Sequence, residues 1–139
     1  MAKPHAHIRL DFSGTCSIGP GKIGLLEGIE RTGSLSAAAR ALGMSYRRAW
    51  LLLHATNEGF EEAVVELSVG GKDGGGTRLT DFGRRLIADY RSFEGAVDTL
   101  AFKAFAGVRV VDGASTSEER RTRRPVSRSL KVPPQDAGD

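Results

Sequence analysis

Apolar residues recur at helical spacing on both sides of a glycine in the stretch from residue 33 to residue 60. Two sets follow the spacing of a buried helix face, namely Leu35, Ala38, Ala39 and Leu42, and then Tyr46, Ala49, Trp50 and Leu53. Ser34 and Ser45 each precede one set, where a hydroxyl oxygen caps the first turn of a helix. Gly43 lies between the sets and suits a tight turn, because glycine adopts positive φ without strain. The pattern predicts a helix-turn-helix.

The second predicted helix has another face, which lies away from its apolar set and begins with Ser45, Arg47 and Arg48. Leu51, His54 and Ala55 continue this face. The N-terminal turn of a recognition helix contacts base edges and phosphates in the major groove. An arginine guanidinium pairs bidentately with guanine O6 and N7 or with phosphate oxygens. We therefore expect DNA contact here, and the alternative is two solvated arginines without a function.

The N-terminal residues alternate between apolar and polar, which predicts a half-buried strand over residues 5–12 with Ile8, Leu10 and Phe12 on one face. A turn at residues 13–14 and a short return strand over residues 15–18 follow. The Gly-Pro-Gly sequence at residues 19–21 begins a helix whose Ile23, Leu26 and Ile29 face the core. His5 and His7 share one strand face, but no third ligand lies near them in sequence, so we expect exposed histidines rather than a metal site.

A strand, a glycine-rich tip and a second strand are predicted over residues 64–79, the pattern of the wing of a winged helix. Lys72 at the tip and Arg78 beside it are placed to meet the sugar-phosphate backbone. A phosphate-binding P-loop needs a lysine and a following helix, whereas Gly76 and a strand occupy those positions. A flexible hairpin without a DNA contact remains the alternative.

The last predicted helix covers residues 81 to about 106, is capped by Thr80, and carries apolar residues at alternating steps of four and three. This seam consists of Leu86, Tyr90, Phe93, Val97, Leu100 and Ala104. It is longer than one small core requires, so we expect homodimerisation through this helix, and the alternative is packing onto its own domain. Gly95 interrupts the seam at a cost of about 1 kcal/mol, and its lack of a side chain would let two helices approach closely.

Composition narrows the function classes. The 139 residues include 20 Lys and Arg against 17 Asp and Glu, a mildly basic balance that is compatible with a nucleic acid. The single cysteine, Cys16, excludes an intramolecular disulfide, and neither a membrane span nor a signal peptide is found, so we expect a cytoplasmic protein. Residues 107–139 are predicted to be a mostly disordered basic tail. No catalytic triad, metal cluster or nucleotide loop is found, and we expect no enzyme activity.

Two segments together carry a family resemblance. IGPGKIGLLEGIERTGSLSAAARALGMSYRRAWLLL, followed by VELSVGGKDGGGTRLTDFGRRLI, resembles the DNA-binding domain of the ModE-type molybdate-responsive regulators, over roughly residues 5–106. The resemblance implies a winged helix-turn-helix, a dimer through the last helix and a palindromic double-stranded operator. It also places Ser45, Tyr46, Arg47 and Arg48 in the recognition helix, and Lys72 and Arg78 in the wing. Tyr46 is ambiguous, because the apolar spacing places it partly on the buried side.

Full-length members of that family also carry molybdate-binding β-barrels with a Ser-Ala-Arg-Asn-like stretch, which this sequence does not contain. We therefore expect no cofactor and no direct molybdate binding, and a separate molybdate-binding protein is a candidate partner. The expected architecture is mostly α with small β elements (α+β). It has an N-terminal hairpin (residues 1–18) and a winged helix-turn-helix (residues 19–79), with the recognition helix at about 45–58. A dimerisation helix (residues 80–106) and the tail follow. The expected function is a homodimeric, sequence-specific transcriptional regulator, and the alternative is a winged-helix protein-interaction module.

Overall fold

The chain has the architecture of a winged helix-turn-helix. The computed structural model describes residues 3–68 and 76–111, and the rest of the predicted tail lies outside them. In these residues the element order is β1 (Leu10–Ser13), β2 (Cys16–Ile18), α1 (Pro20–Thr32), α2 (Leu35–Ala41), α3 (Tyr46–Gly59), β3 (Val65–Ser68), β4 (Gly76–Leu79) and α4 (Asp81–Ala104). Each strand pair is antiparallel. The mostly α fold with small β elements predicted from the sequence is confirmed.

Lys3–Ala106 form one compact unit, which contains all of these elements. The second unit comprises Met1–Ala2 and Gly107–Asp139, and its described residues, 107–111, are exposed. None of the helices in the described part of the chain combines the length and apolar character that a membrane span needs.

Hydroxyl side chains cap three helices as predicted. The Ala37 amide donates to Ser34 Oγ at 3.2 Å, the Arg48 amide to Ser45 Oγ at 3.1 Å and the Gly83 amide to Thr80 Oγ1 at 3.0 Å. These bonds satisfy amides that the first helical turn leaves without a partner. The turn between α2 and α3 contains Gly43 at a φ of 66°, the left-handed conformation that glycine adopts at little cost. The predicted helix-turn-helix is therefore present with its expected caps and turn.

Two groups of buried side chains form the core. The larger joins α1, α2, α3 and the wing through Leu25, Leu26, Ile29, Leu35, Ala38, Ala39, Ala49, Leu53, Val64, Val65 and Leu79. The smaller joins β2, α1 and α4 through Ile18, Ile23 and Tyr90. Ile23, Leu26 and Ile29 are thus buried as their spacing predicted. Burial of this apolar surface fixes α3 and the wing on the same scaffold.

The N-terminal strand prediction was too long. Strand β1 covers only Leu10–Ser13, and the described residues before it, 3–9, belong to no helix or strand. Phe12 is 56% exposed, and its ring contacts Phe60 edge-on. Alternating apolar and polar residues do not by themselves require a paired strand, because contacts with another element can also hold such a segment in place. Here the contacts come from α4, because the Tyr90 hydroxyl donates to the Ile8 carbonyl oxygen at 2.7 Å.

An ion-pair network fastens α4 to α1. Arg91 donates two hydrogen bonds to Glu27, from Nη2 to Oε1 at 2.6 Å and from Nε to Oε2 at 3.1 Å. Its Nη1 donates to Glu94 Oε1 at 2.8 Å. These carboxylates, Glu27 foremost, raise the pKa of Arg91 above its already high value, so the guanidinium group stays charged in this network. The first half of α4 is consequently bound to its own domain.

Candidate nucleic-acid interface

The N-terminal turn of α3 presents two arginines to solvent. Arg47 and Arg48 are exposed, and neither forms an ion pair or a hydrogen bond through its guanidinium group with another described residue. Ser45 is also exposed, and its hydroxyl is the helix cap. Two guanidinium groups that bind no other described residue, at the start of α3, are available to bases or phosphates.

The apolar set predicted for α3 was wrong at two positions. Ala49 and Leu53 are buried, but Tyr46 is 56% and Trp50 is 44% exposed. Thr56 completes the buried stripe, because its hydroxyl donates to the Leu52 carbonyl oxygen at 2.7 Å and needs no water. The buried stripe is thus rotated, and Tyr46 and Trp50 lie on the flank of the helix.

Leu42 was also predicted to be buried, at the end of the α2 set, and it is 41% exposed. Helix α2 ends at Ala41, and Leu42 is its C-cap residue. The helical spacing on which the prediction rested therefore no longer applies at Leu42.

The exposed aromatic side chains of α3 line the space between this helix and the wing. The rings of Trp50 and His54 are stacked, with centroids 4.9 Å apart and planes 6° apart. Together with Tyr46 they border a concavity of about 180 Å³, to which Leu67 and Thr77 of the wing also contribute. The surface beside the arginines is therefore partly apolar.

The wing consists of the antiparallel strands β3 and β4, and a side chain of α3 forms hydrogen bonds at the start of its first strand. Asn57 Oδ1 accepts hydrogen bonds from the amides of Val64 at 2.9 Å and Val65 at 3.2 Å. Arg78 on β4 is exposed and lies opposite Glu66 on β3. The structure thus places Arg78 on the wing as predicted, whereas Lys72 lies outside the described residues.

The predicted seam of α4 divides into two parts. Tyr90 is buried, and Leu86 and Val97 are partly buried. Phe93 is 45% and Leu100 is 65% exposed, and Ala104 is exposed as well. Packing onto the same domain therefore accounts for the first half of the seam, and the second half remains available to a partner.

Two contacts were not predicted from the sequence, one between α3 and the wing and one between the N-terminal segment and α4. Asn57 was interpreted only as part of the end of the recognition helix, although it also orients the wing. His5 was expected to be an exposed strand histidine, and its Nδ1 lies 2.7 Å from Asp98 Oδ2 on α4. Strand β3 begins eight residues after Asn57, which is a weak signal. His5 and Asp98 are 93 positions apart in the sequence, a separation over which no local pattern indicates a contact.

Helix-turn-helix, wing and exposed arginines define the class of a winged-helix protein, and known proteins resemble the chain. It is 42% identical over 89 residues to the molybdenum transport protein ModE of Azotobacter vinelandii, covering 64% of this chain and 33% of that protein. It is 40% identical over 92 residues to the molybdenum-pterin-binding protein MopA of Rhodobacter capsulatus, covering 66% of this chain and 35% of MopA.

The DNA-binding transcriptional dual regulator ModE of Escherichia coli K12 is 44% identical over 71 residues, covering 51% of this chain and 27% of that protein. These similarities confirm the resemblance to ModE-type proteins. The chain thus matches about a third of the length of these relatives. No protein-family model matches the sequence.

Proposed function

We propose that this protein is a DNA-binding transcriptional regulator of the molybdenum-related ModE type, and not an enzyme. The observation that carries the proposal is the exposed pair Arg47 and Arg48 at the start of α3 in a winged helix-turn-helix, where their guanidinium groups have no partner among the described residues. The similarity to a DNA-binding regulator over the same part of the chain supports it. Helix α3 enters the major groove, and its first turn contacts base edges and phosphates.

In this proposal the wing contacts the sugar-phosphate backbone of the DNA beside the bases that α3 reads. Arg78 is exposed on the wing, and Asn57 fixes the first strand of the wing relative to α3. A rigid connection between the two binding elements sets the register of the recognition helix on the duplex. Lys72 and Arg78 thus position the protein, whereas Arg47 and Arg48 supply base and phosphate contacts.

The regulator acts as a homodimer on a palindromic operator. The apolar residues in the second half of α4, including Phe93 and Leu100, are exposed in a single chain. Pairing these surfaces across a two-fold axis covers them and places two recognition helices on half-sites about one helical turn (~34 Å) apart or a multiple of it. Val97 and Ala104 lie on the same half of α4 and complete this interface, whereas Leu86 and Tyr90 of the predicted seam are packed within their own chain.

A second candidate function is a dimeric protein-interaction module. The observation that favours it is the exposure of Tyr46, Trp50 and Leu51 on one helix, because aromatic residues are enriched at protein interfaces. Such a module binds DNA weakly and without sequence preference, and this binding is lost at physiological salt.

Selection on a random duplex library at physiological salt separates these functions. The purified full chain is incubated with the library, with and without molybdate, and bound duplexes are sequenced. An enriched palindrome in both arms supports a regulator that does not sense molybdate by itself. Enrichment only with molybdate supports the regulator but contradicts our expectation that the anion does not bind this chain. No enrichment in either arm contradicts the regulator and favours the interaction module.

A further inference from the structure

Leu51 is an apolar side chain at the centre of the surface that α3 presents to solvent. It is 51% exposed and lies one helical turn after Arg47 and Arg48, at i+4 and i+3. The buried stripe of Ala49, Leu53 and Thr56 lies on the opposite side of the helix. An exposed leucine alone requires no explanation. Its position beside two exposed arginines does require one, since a helix that enters the groove through those arginines also buries Leu51.

We propose that Leu51 reads the 5-methyl group of a thymine in each half-site, a proposal that rests on the DNA-binding function given above. The edges of the bases in the major groove carry hydrogen-bond donors, acceptors and one apolar group, the thymine methyl. A leucine can neither donate nor accept a hydrogen bond, so the methyl is the group on which its burial is favourable. The guanidinium groups beside it favour a polyanion as the occupant of this surface.

The helix geometry places this thymine relative to the base that Arg47 contacts. Four residues advance about 6 Å along a helix, and base pairs are stacked about 3.4 Å apart. The thymine therefore lies within about two base pairs of the base that Arg47 reads. His54 lies at i+3 from Leu51 on α3, and its ring is stacked on that of Trp50, so aromatic surface adjoins Leu51 on the flank of the helix that faces the wing.

Uracil substitution tests this proposal, because it removes only the methyl group from thymine. Each thymine of one selected half-site is replaced by uracil in turn, and Kd is measured by fluorescence anisotropy for the wild type, Leu51→Ala and Leu51→Met. For the wild type we expect roughly fourfold weaker binding at one thymine, the effect of exposing one methyl group. Leu51→Met retains this loss, since its side chain is apolar and of similar volume. Leu51→Ala binds thymine and uracil equally.

The outcomes separate this proposal from the proposed function. A duplex that is bound specifically but is insensitive to uracil at every position overturns the role of Leu51 and leaves the regulator intact. Sensitivity that persists in Leu51→Ala assigns the methyl contact to another side chain and also overturns it. If selection yields no specific duplex, the regulator itself fails. Circular dichroism checks that Leu51→Ala is folded, as expected for alanine at an exposed helical position.

Discussion

Arg47, in the first turn of α3, provides a single-residue test of base recognition. Arg47 lies four residues before Leu51 on the outward face of α3, so in the proposed complex it is directed toward the bases. We expect Arg47→Ala to cost about 1–3 kcal/mol of binding and to relax the base preference at one position of the half-site. Kd values on the selected duplex and on its single-base variants measure both effects.

Arg31→Ala is the matched control, because Arg31 is also exposed but lies at the end of α1. It removes the same charge without changing α3, so its base preferences stay those of the wild type. If Arg47→Ala weakens binding equally on every sequence, Arg47 contacts a phosphate and does not read a base.

Two glycines of α4 give opposite predictions for alanine substitution. A Cβ at Gly83 would overlap the Val64 carbonyl oxygen, which accepts a hydrogen bond from the Thr80 amide at 3.0 Å. We expect Gly83→Ala to lower the free energy of unfolding by about 1–3 kcal/mol through overpacking. A Cβ at Gly95 would meet no atom within 4 Å, and Gly95→Ala should raise that free energy by about 0.5–1 kcal/mol.

Urea denaturation measures both variants, and each serves as the control for the other. A Gly83→Ala protein as stable as the wild type would show that the contact between α4 and Val64 relaxes freely. A Gly95→Ala protein that unfolds at higher urea but associates more weakly would support close helix approach at Gly95 in the dimer.

At the scale of elements, the sequence predicts helices and caps better than it predicts what covers them. The positions of α1, α2 and α3 follow from period, serine caps and glycine turns, which are local properties. The face of α3 that is buried was only partly predicted, because Trp50 is apolar yet exposed and Thr56 is polar yet buried. The hydroxyl group of Thr56 is hydrogen-bonded within the helix, so the residue can be buried, and a pattern of apolar residues cannot predict this bond.

The N-terminal segment illustrates a contact between elements that no local pattern indicates. The Ala6 amide donates to Asp98 Oδ1 at 2.7 Å, and His5 Nδ1 lies 2.7 Å from the other carboxylate oxygen. The hydrogen bond with Asp98 raises the pKa of His5 above its ordinary 6.5, and Glu94 acts in the same direction while Arg91 opposes it. The Ala6 amide, and then His5, lower the pKa of Asp98 below its ordinary 3.8.

These shifts predict a pH window for the attachment of the N-terminal segment to α4. The contribution of His5 is complete below pH 6.5 and is lost as the pH rises through the raised pKa of its folded form. The contribution of Asp98 is complete above pH 3.8 and is lost as the pH falls through its lowered pKa. We therefore expect the attachment to be tightest between these two limits, and weaker at alkaline pH.

An NMR titration of the His5 ring protons tests this window. In the wild type the midpoint should lie above 6.5, and in Asp98→Asn it should move down, because the amide carries no charge. Protection of the Ala6 amide against hydrogen exchange, compared at equal intrinsic exchange rates, should fall in the same variant. Equal midpoints in both proteins would contradict the assigned contact.

For the molecule as a whole, the second half of α4 presents an apolar surface that the described residues leave exposed. The heptad spacing predicted one continuous apolar seam, but the chain itself buries only its beginning, where Tyr90 is packed against Ile18 and Ile23. Phe93, Leu100 and Phe105 are 45%, 65% and 60% exposed. Apolar spacing identifies the face of a helix that avoids water, whereas the partner on that face depends on the rest of the structure.

A charge on this exposed face distinguishes homodimerisation through α4 from packing of α4 onto its own domain alone. Leu100→Glu should leave a single chain folded, because Leu100 is 65% exposed there. In a dimer built on α4 it places two carboxylates in an apolar interface, and we expect association to weaken by about a hundredfold or more. Sedimentation velocity measures the oligomeric state. The control, Leu42→Glu, changes the charge equally at a leucine outside α4 and should sediment as the wild type does.

DNA binding then shows whether dimerisation through α4 serves recognition. Two linked recognition helices bind a palindrome more tightly than one, since the second contact is made within the same complex. Leu100→Glu should therefore bind the palindrome only as tightly as an isolated half-site, with its base preferences unchanged because α3 is intact. If Leu100→Glu remains a dimer and keeps its full affinity for the palindrome, the exposed half of α4 is not the interface, and another surface must set the spacing of the half-sites.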